Sequence, residues 1–152
     1  MLVKFKRLNK DAIIPEYKTS GAAGFDFHSA VNMRIASLKG DLVQTGLSVE
    51  LPRDTFMTIV PRSGLSLEFR NYIGNGFPVV DEDYRGEIFI YIVNNSFNKD
   101  IVIKKGDRIA QGIVLPYIRC EIIEVNELLP TTRGQGGWGS TGIGEENNES
   151  IL

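Results

Sequence analysis

A chain of 152 residues has the usual length of one domain, and its 42% hydrophobic content is enough for a core of its own. The single cysteine excludes an intrachain disulfide and a cysteine-based zinc site, and it favours a reducing, intracellular location. A formal net charge of −2 argues against a basic surface for nucleic acid, and no apolar run reaches the roughly 20 residues that a membrane span needs.

The first part of the chain predicts short strands separated by turns. Residues 2–8 alternate apolar and basic side chains, which is typical of a half-buried strand. The segment 20–30 surrounds Asp26 with glycines and small residues, so that backbone can approach a ligand closely. Asp26 is either a turn-capping carboxylate or a ligand residue, and we assign no role to His28, the sole histidine. Further strands are predicted at residues 47–51 and 55–60.

Residues 61–69 predict the one helix of the chain. Leu65 and Phe69 lie four positions apart, and Ser63 is the expected N-cap. Arg62, together with the free backbone N–H groups of a helix start, would make a pocket for an anion. The alternative is an ordinary capped surface helix with Arg62 in solvent.

The central stretch, residues 75–93, predicts a hairpin with an acidic turn. Residues 75–80 approach the turn as an extended segment, and residues 88–93 leave it as a strongly β-prone strand. The turn places Asp81 beside further carboxylates and Tyr84, and their repulsion requires relief by water, a cation or a ligand. Taken alone this would be a solvated turn, but the other motifs make it the candidate reaction centre.

Strands at residues 101–103, 108–115 and 120–125 complete the β pattern. Gln111 is a polar residue in an apolar strand, so its amide is bonded either to backbone or to a ligand. Residues 131–142 form a glycine-rich arm around Trp138, which could lay backbone amides along phosphates while the indole covers a base. The alternative is a disordered tail, which we predict for residues 143–152. Together the elements predict one all-β, sandwich-like domain over residues 1–142, arm included.

Five separated motifs of this sequence resemble those of the trimeric deoxyuridine triphosphatases, also called dUTP pyrophosphatases. They lie, in order, at residues 23–27, 61–65, 75–86, 105–111 and 133–142. The resemblance implies a β jelly roll and a homotrimer whose three active sites lie at subunit junctions, each closed by an arm from a neighbouring subunit. It also implies hydrolysis of dUTP to dUMP and pyrophosphate, which limits uracil in DNA and supplies dUMP for thymidylate synthesis, with no nucleic-acid or membrane partner.

Carried over to this sequence, the resemblance makes Asp81 the residue that holds and deprotonates the water attacking the α-phosphorus. Tyr84 would pack against the deoxyribose and exclude a 2′-hydroxyl. The other substrate contacts that it implies are Asn75, Val79, Val80 and Phe89 for the base, Trp138 stacked on the uracil, and Arg62, Ser63, Gly64, Gln111, Arg133, Gly139 and Ser140 along the phosphates. Mg²⁺ would be carried by the triphosphate and by waters, and Asp26 and Gln111 would reach it through those waters.

Three positions depart from the pattern of that family, and two other functions stay open. Pro78 replaces a common glycine and stiffens the entry to the turn, which bears on uracil discrimination. Trp138 replaces the usual phenylalanine, and Ser66 replaces a common alanine with little expected effect. One alternative function is a deoxycytidine triphosphate deaminase of the same fold, against which the intact motif around Asp81 and the complete arm argue. The other is a non-catalytic β-sandwich that uses the nucleotide as a switch for a protein partner.

Overall fold

The computed structural model of the chain describes residues 1–138 and residue 140. The chain divides into two compact units, Met1–Arg119 and Cys120–Leu152. Within the described residues, one helix, α1 (Ser63–Phe69), accompanies eleven strands. The strands are β1 (Lys4–Arg7), β2 (Phe25–His28), β3 (Met33–Ile35), β4 (Gly40–Gln44), β5 (Leu47–Glu50), β6 (Thr55–Pro61), β7 (Tyr72–Ile73), β8 (Val79–Val80), β9 (Phe89–Val93), β10 (Ile101–Ile103) and β11 (Arg108–Pro116). The all-β prediction with one short helix is confirmed.

A four-stranded antiparallel sheet in the order β2-β11-β6-β8 carries most of the candidate site residues. β11 lies between β2 and β6, and its Gly112 lets two aromatic rings pack closely. A β-carbon at Gly112 would lie 2.5 Å from the ring of Phe25 and 2.8 Å from that of Phe27. The missing side chain therefore allows β11 to lie against the aromatic part of the core.

The remaining strands form a three-stranded sheet, β4-β9-β7, and two antiparallel pairs, β1-β5 and β3-β10. In β9 the side chains of Ile90 and Ile92 are buried and those of Phe89 and Tyr91 are exposed, which is the period-two pattern of a sheet with one face on the core. Isoleucine, valine and phenylalanine side chains from the sheets form one buried cluster. Each fully buried side chain of this kind contributes about 1.5–3 kcal/mol.

The acidic turn does not join two strands that pair with each other, so the predicted hairpin is wrong. β8 pairs with β6, through Met57 and Val80, whereas β9 pairs with β4 and β7. The segment between β8 and β9 therefore crosses from one sheet to another. Strand propensity is a local property, but the choice of partner depends on which face each strand buries, and that is decided by the rest of the chain.

The last predicted strand, residues 120–125, is also wrong. The structure assigns no strand in the described part of the unit Cys120–Leu152, and Ile122 and Ile123 are exposed there. β-branched side chains favour a strand only where a neighbouring strand and a buried face are present, and the described residues of that unit supply neither. No helix among the described residues combines the length and the apolar character that crossing a membrane would require.

Candidate active site

A cavity of about 210 Å³ lies between β8, the acidic turn and the start of β9. Six of the residues selected from the sequence line it: Asn75, Val79, Val80, Asp81, Tyr84 and Phe89. Sequence reasoning missed Ile59, Glu87 and Ile88, which line the same cavity. Ile59 comes from β6, and no local pattern indicates that it meets the turn.

The acidic turn is held together by backbone and side-chain hydrogen bonds. The N–H of Tyr84 donates to the carbonyl oxygen of Asp81 at 3.2 Å. Nη1 of Arg85 donates to the carbonyl oxygens of Glu82 and Tyr84 at 2.7 and 2.9 Å, and Oε2 of Glu82 accepts from the N–H of Asp54 at 2.6 Å. One guanidinium and one backbone donor thus relieve part of the repulsion, while Asp81 itself remains exposed.

The ring of Tyr84 is fixed at its hydroxyl end. Its hydroxyl donates to the carbonyl oxygen of Glu87 at 2.8 Å. A β-carbon at Gly86 would lie 2.4 Å from the same oxygen, so only glycine leaves room for this position of the ring. Oε1 of Glu87 in turn accepts from the N–H of Gly46 at 2.9 Å, which ties the segment to the start of β5.

At the other end of β6, the backbone in the first turn of α1 is accessible, but the N-cap residue of the helix differs from the one predicted. The N-cap is Arg62, in extended backbone conformation and with no side-chain capping bond, and Ser63 is the first helical residue. The Ser63 hydroxyl therefore does not occupy the capping position. A β-carbon at Gly64 would meet nothing within 4 Å, so the backbone there is accessible.

Asp26 is a buried carboxylate between two guanidinium groups. Its Oδ1 lies 3.2 Å from Nε of Arg62 and its Oδ2 lies 3.1 Å from Nη1 of Arg108, while its side chain is 3% exposed. Arg62 also donates from Nη1 to the carbonyl oxygen of Arg108 at 3.2 Å. Gln111, half-buried on β11, lies directly opposite Asp26 on β2. Sequence reasoning missed this grouping, in which Arg62 and Arg108 contact the same carboxylate.

The two ends of β6 separate the cavity at Asp81 from the arginine pair. Val80, next to Asp81, is the register partner of Met57. Arg62 lies five residues beyond Met57, about 16 Å away at a rise of about 3.3 Å per residue.

The arm is described up to residue 138 and at residue 140, and its hydrogen bonds are internal to it. Nε of Arg133 donates to the carbonyl oxygen of Gly136 at 2.9 Å, and the N–H of Ser140 donates to that of Gly137 at 3.1 Å. Gly134 has a φ of +52°, which favours glycine. The side chain of Trp138 is fully exposed. Gly139 and the predicted tail, residues 143–152, lie outside the described residues.

Metal-ligand clusters do not occur in the part of the chain that the structure describes. No group of three or more histidine, cysteine, aspartate or glutamate side chains is placed there to hold an ion. A hard cation such as Mg²⁺ would therefore need most of its ligands from a substrate or from water.

Comparison with known sequences gives one family. A family model described as dUTPase matches residues 10–142, a range that includes the five motifs. The deoxyuridine 5'-triphosphate nucleotidohydrolase of Nautilia profundicola is 45% identical over 142 residues, which make up 93% of this chain and 99% of the relative. The protein of the same name from Crocosphaera subtropica is 42% identical, over 94% of this chain and 100% of the relative.

Comparison with solved structures gives the same fold. The dUTPase of Staphylococcus bacteriophage 80alpha, solved with dUPNHPP, has a TM-score of 0.85 at 25% identity, over 93% of this chain and 99% of that chain. A mutant dUTPase from phage phi11 of S. aureus, which coordinates a structural Mg(II) ion, has a TM-score of 0.78 at 22% identity, over 84% of this chain and 99% of that chain. The predicted jelly-roll fold is confirmed.

Proposed function

This chain belongs to the dUTPase family and is a dUTP diphosphatase, and from that premise we propose how its residues split dUTP into dUMP and pyrophosphate. Asp81 holds and deprotonates the water that attacks the α-phosphorus. The observation that carries this role is that Asp81 and Tyr84 share one hydrogen-bonded turn and line one cavity. A carboxylate fixed beside the sugar of a bound nucleotide is also close to the α-phosphate, where a positioned base can act.

The cavity beside Asp81 suits a deoxyuridine. β8 is the edge strand of the four-stranded sheet, so one side of its backbone is not paired with another described strand and can hydrogen-bond a base edge. Asn75, the backbone of Val79 and Val80, and Phe89 contact the uracil, and crowding in this pocket rejects the methyl group of thymine. The fixed ring of Tyr84 leaves no room for a 2′-hydroxyl.

The phosphate chain binds at a junction between subunits of a homotrimer. The backbone separation of Arg62 from Met57, the register partner of Val80, supports this arrangement, because it places Arg62 away from the part of β6 that pairs with β8. In the proposed trimer, Asp81 of one copy faces Arg62, Ser63, Gly64 and Gln111 of another. A closed trimer with threefold symmetry contains three identical junctions, each formed by the same two surfaces of neighbouring subunits.

The arm closes the site in this proposal. Trp138 stacks on the uracil, Arg133 contacts the terminal phosphate, and Gly139 and Ser140 lie beside the phosphates. Full exposure of the Trp138 side chain supports this role, because covering a large aromatic ring that is exposed to water is energetically favourable. The nucleotide supplies such a partner only when it is bound.

Mg²⁺ supplies charge neutralisation on the triphosphate when it is bound. The described residues fit an ion held by phosphate oxygens and waters, since they offer no acidic cage. Gln111, half-buried on β11, could hold such a water. Asp26 fits this role less well than predicted, because both of its oxygens face guanidinium groups.

Release of pyrophosphate from four nucleotides tests the function. With Mg²⁺ present, we expect dUTP to be hydrolysed far faster than dTTP, dCTP or UTP. Asp81→Asn should nearly abolish turnover and leave nucleotide binding in place, because the amide is a poor base of the same shape. Asp83→Asn is the matched control, since Asp83 is an exposed carboxylate of the same turn that does not line the cavity.

Several outcomes would contradict the proposal. Equal losses of dUTP turnover in Asp81→Asn and Asp83→Asn would mean that activity depends on the total charge of the turn and not on the position of the Asp81 carboxylate. Equal turnover of UTP and dUTP would remove the role of Tyr84. Ammonia release from dCTP would point to the deaminase, and binding of dUTP without turnover would point to a nucleotide-switched protein.

A further inference from the structure

A second cavity, of about 620 Å³, lies beside β2, α1, β10 and β11. Its walls include Lys18, His28, Arg62, Leu65, Val102 and Arg108. It shares only Arg62 with the residues assigned to the substrate above. Three cationic side chains and one carboxylate, that of Asp107, line it, so the lining carries a surplus of positive charge.

Asp107 forms no ion pair with a cationic side chain among the described residues, so it does not cancel that surplus in this way. Its Oδ2 accepts the N–H of Lys104 at 2.8 Å, which closes the turn before β11. Lys18 pairs with Glu16, and both side chains of that pair are exposed to solvent. The charge that an entering ligand meets is therefore set mainly by the two arginines.

The two arginines share a single buried counter-ion. Asp26 contacts Nε of Arg62 and Nη1 of Arg108, and one carboxylate cannot neutralise two guanidinium groups. Each guanidinium has five N–H donors, and these contacts use only part of them. The side chains of Arg62 and Arg108 are 28% and 41% exposed, so the remaining donors are accessible to an anion in the cavity.

His28 adds a buried donor or acceptor to the same wall. Its residue is 7% exposed, and its Nδ1 is buried without a hydrogen-bond partner among the described residues. A buried polar atom of this kind is costly unless a ligand or water bonds to it. The register places His28 directly opposite Arg108 on the neighbouring strand.

We propose that this cavity binds a phosphate-bearing anion, with Arg108 as a ligand in addition to Arg62, and with Asp26 as the positioning residue that holds both guanidinium groups. The anion is either the terminal phosphates of the nucleotide, which become the released pyrophosphate, or free phosphate. Only the first source rests on the proposed function. Bidentate guanidinium contacts to phosphate oxygens are the usual means of holding such a group.

The sole histidine of the chain provides a direct test with the unaltered protein. Its ring resonances, followed by NMR in the full chain at constant pH, report on the cavity wall. We expect pyrophosphate to shift them in a saturable way and dUMP, which lacks the terminal phosphates, to leave them unchanged. A shift with inorganic phosphate but not with pyrophosphate supports the cavity as an anion site and assigns it to free phosphate. No shift with either anion overturns the proposal.

Variants then test the two arginine-related roles. Arg108→Gln should weaken pyrophosphate binding and raise the KM for dUTP about tenfold, the effect of losing one charge-assisted hydrogen bond, with a smaller change in kcat. Arg108→Lys should recover part of the lost pyrophosphate binding, because it keeps the positive charge. Asp26→Asn should weaken pyrophosphate binding, because the guanidinium groups of Arg62 and Arg108 are then no longer held in position. Arg34→Gln is the matched control, because Arg34 pairs with Asp100 on an exposed surface and does not line this cavity.

The outcomes separate this proposal from the proposed function. Unchanged pyrophosphate binding in a folded Arg108→Gln protein would overturn the role of Arg108. An equal loss of pyrophosphate binding in Arg34→Gln and Arg108→Gln would overturn it as well. If Arg108→Gln does not fold, the NMR titration of the unaltered chain and the Arg108→Lys variant decide. A chain that does not hydrolyse dUTP but shows the pyrophosphate-dependent shift of His28 would remove the proposed function and leave the anion cavity in place.

Discussion

The hydroxyl of Tyr84 donates a hydrogen bond to the carbonyl oxygen of Glu87, three residues further along the chain. Gly86 lies between them, and a β-carbon there would come within 2.4 Å of the hydroxyl oxygen. The position of the ring thus depends on the absence of one side chain. Because we propose that this ring excludes the 2′-hydroxyl, sugar discrimination depends on a glycine that need not touch the substrate.

Gly86→Ala should therefore relax sugar specificity. The added methyl group displaces the Tyr84 ring, since the two cannot occupy the same space, and the ratio of kcat/KM for dUTP over UTP should fall about tenfold, or about 1.4 kcal/mol. Gly21→Ala is the control, because a β-carbon at Gly21 meets nothing within 4 Å. An unchanged ratio in Gly86→Ala would show that the ring does not set the discrimination.

Gly112→Ala should destabilise the fold with little direct effect on substrate contacts. A β-carbon there overlaps the rings of Phe25 and Phe27, and overpacking of this kind costs about 1–3 kcal/mol. The measurement is urea unfolding at a fixed chain concentration, since the stability of the proposed trimer would depend on concentration. A loss no greater than that of Gly21→Ala would contradict the close packing of β11 against the two rings.

Mixing two inactive variants tests whether the site is shared between subunits. Asp81→Asn and Arg62→Gln should each lose activity, but refolding them together should restore it. Random assortment leaves about a quarter of the junctions with an intact Asp81 from one copy and an intact Arg62 from another. If both residues of a site came from the same chain, no mixture would recover activity. Sedimentation of the unaltered protein should also show a trimer.

Burial of His28 predicts a fall in stability at mildly acidic pH. Burial lowers the pKa of His28 below its ordinary value of 6.5, with Lys18 and Arg108 acting in the same direction and Asp26 and Glu16 opposing them. Between the lowered pKa and 6.5 the unfolded chain binds the proton more strongly than the folded chain. The contribution of the neutral His28 to the free energy of unfolding is therefore fully present above pH 6.5, and it is lost as the pH falls towards the lowered pKa.

The measurement for His28 is the free energy of unfolding at several pH values from 7.5 down to 5. His28→Gln is the comparison, because it keeps a polar side chain and removes the titration. Its curve should be flatter over the part of this range below pH 6.5. Identical slopes in the two proteins would mean that His28 does not gain a proton on unfolding there.

Local patterns predicted most of the strands and the position of the helix, but they failed where a partner decides the outcome. The strand at residues 2–8 appears as β1, and that at residues 108–115 appears as β11. Residues 120–125 have the same β-prone composition and form no strand, since the described part of their unit offers no neighbour. The acidic turn likewise connects strands of different sheets, a pairing that spacing along the chain cannot reveal.

A β-bulge explains why one group of residues was missed. The register of β11 against β2 shifts between Arg108 and Ala110. In a regular strand Arg108 and Gln111, three residues apart, would point to opposite faces, so sequence alone separates them. With the shift, Arg108 lies opposite His28 and Gln111 lies opposite Asp26, and Arg108 reaches the carboxylate of Asp26.

By itself the sequence determined the all-β class, the five motifs and hence the family, because residue types and their order along the chain carry that information. It also selected six of the residues that line the cavity at Asp81, since they lie close together in one continuous stretch. Only the tertiary structure decided that β8 lies at a sheet edge, that Arg62 lies far from Asp81 along β6, and that Asp26 holds two arginines. These relationships join residues distant in sequence through strand register and packing, which no local pattern encodes.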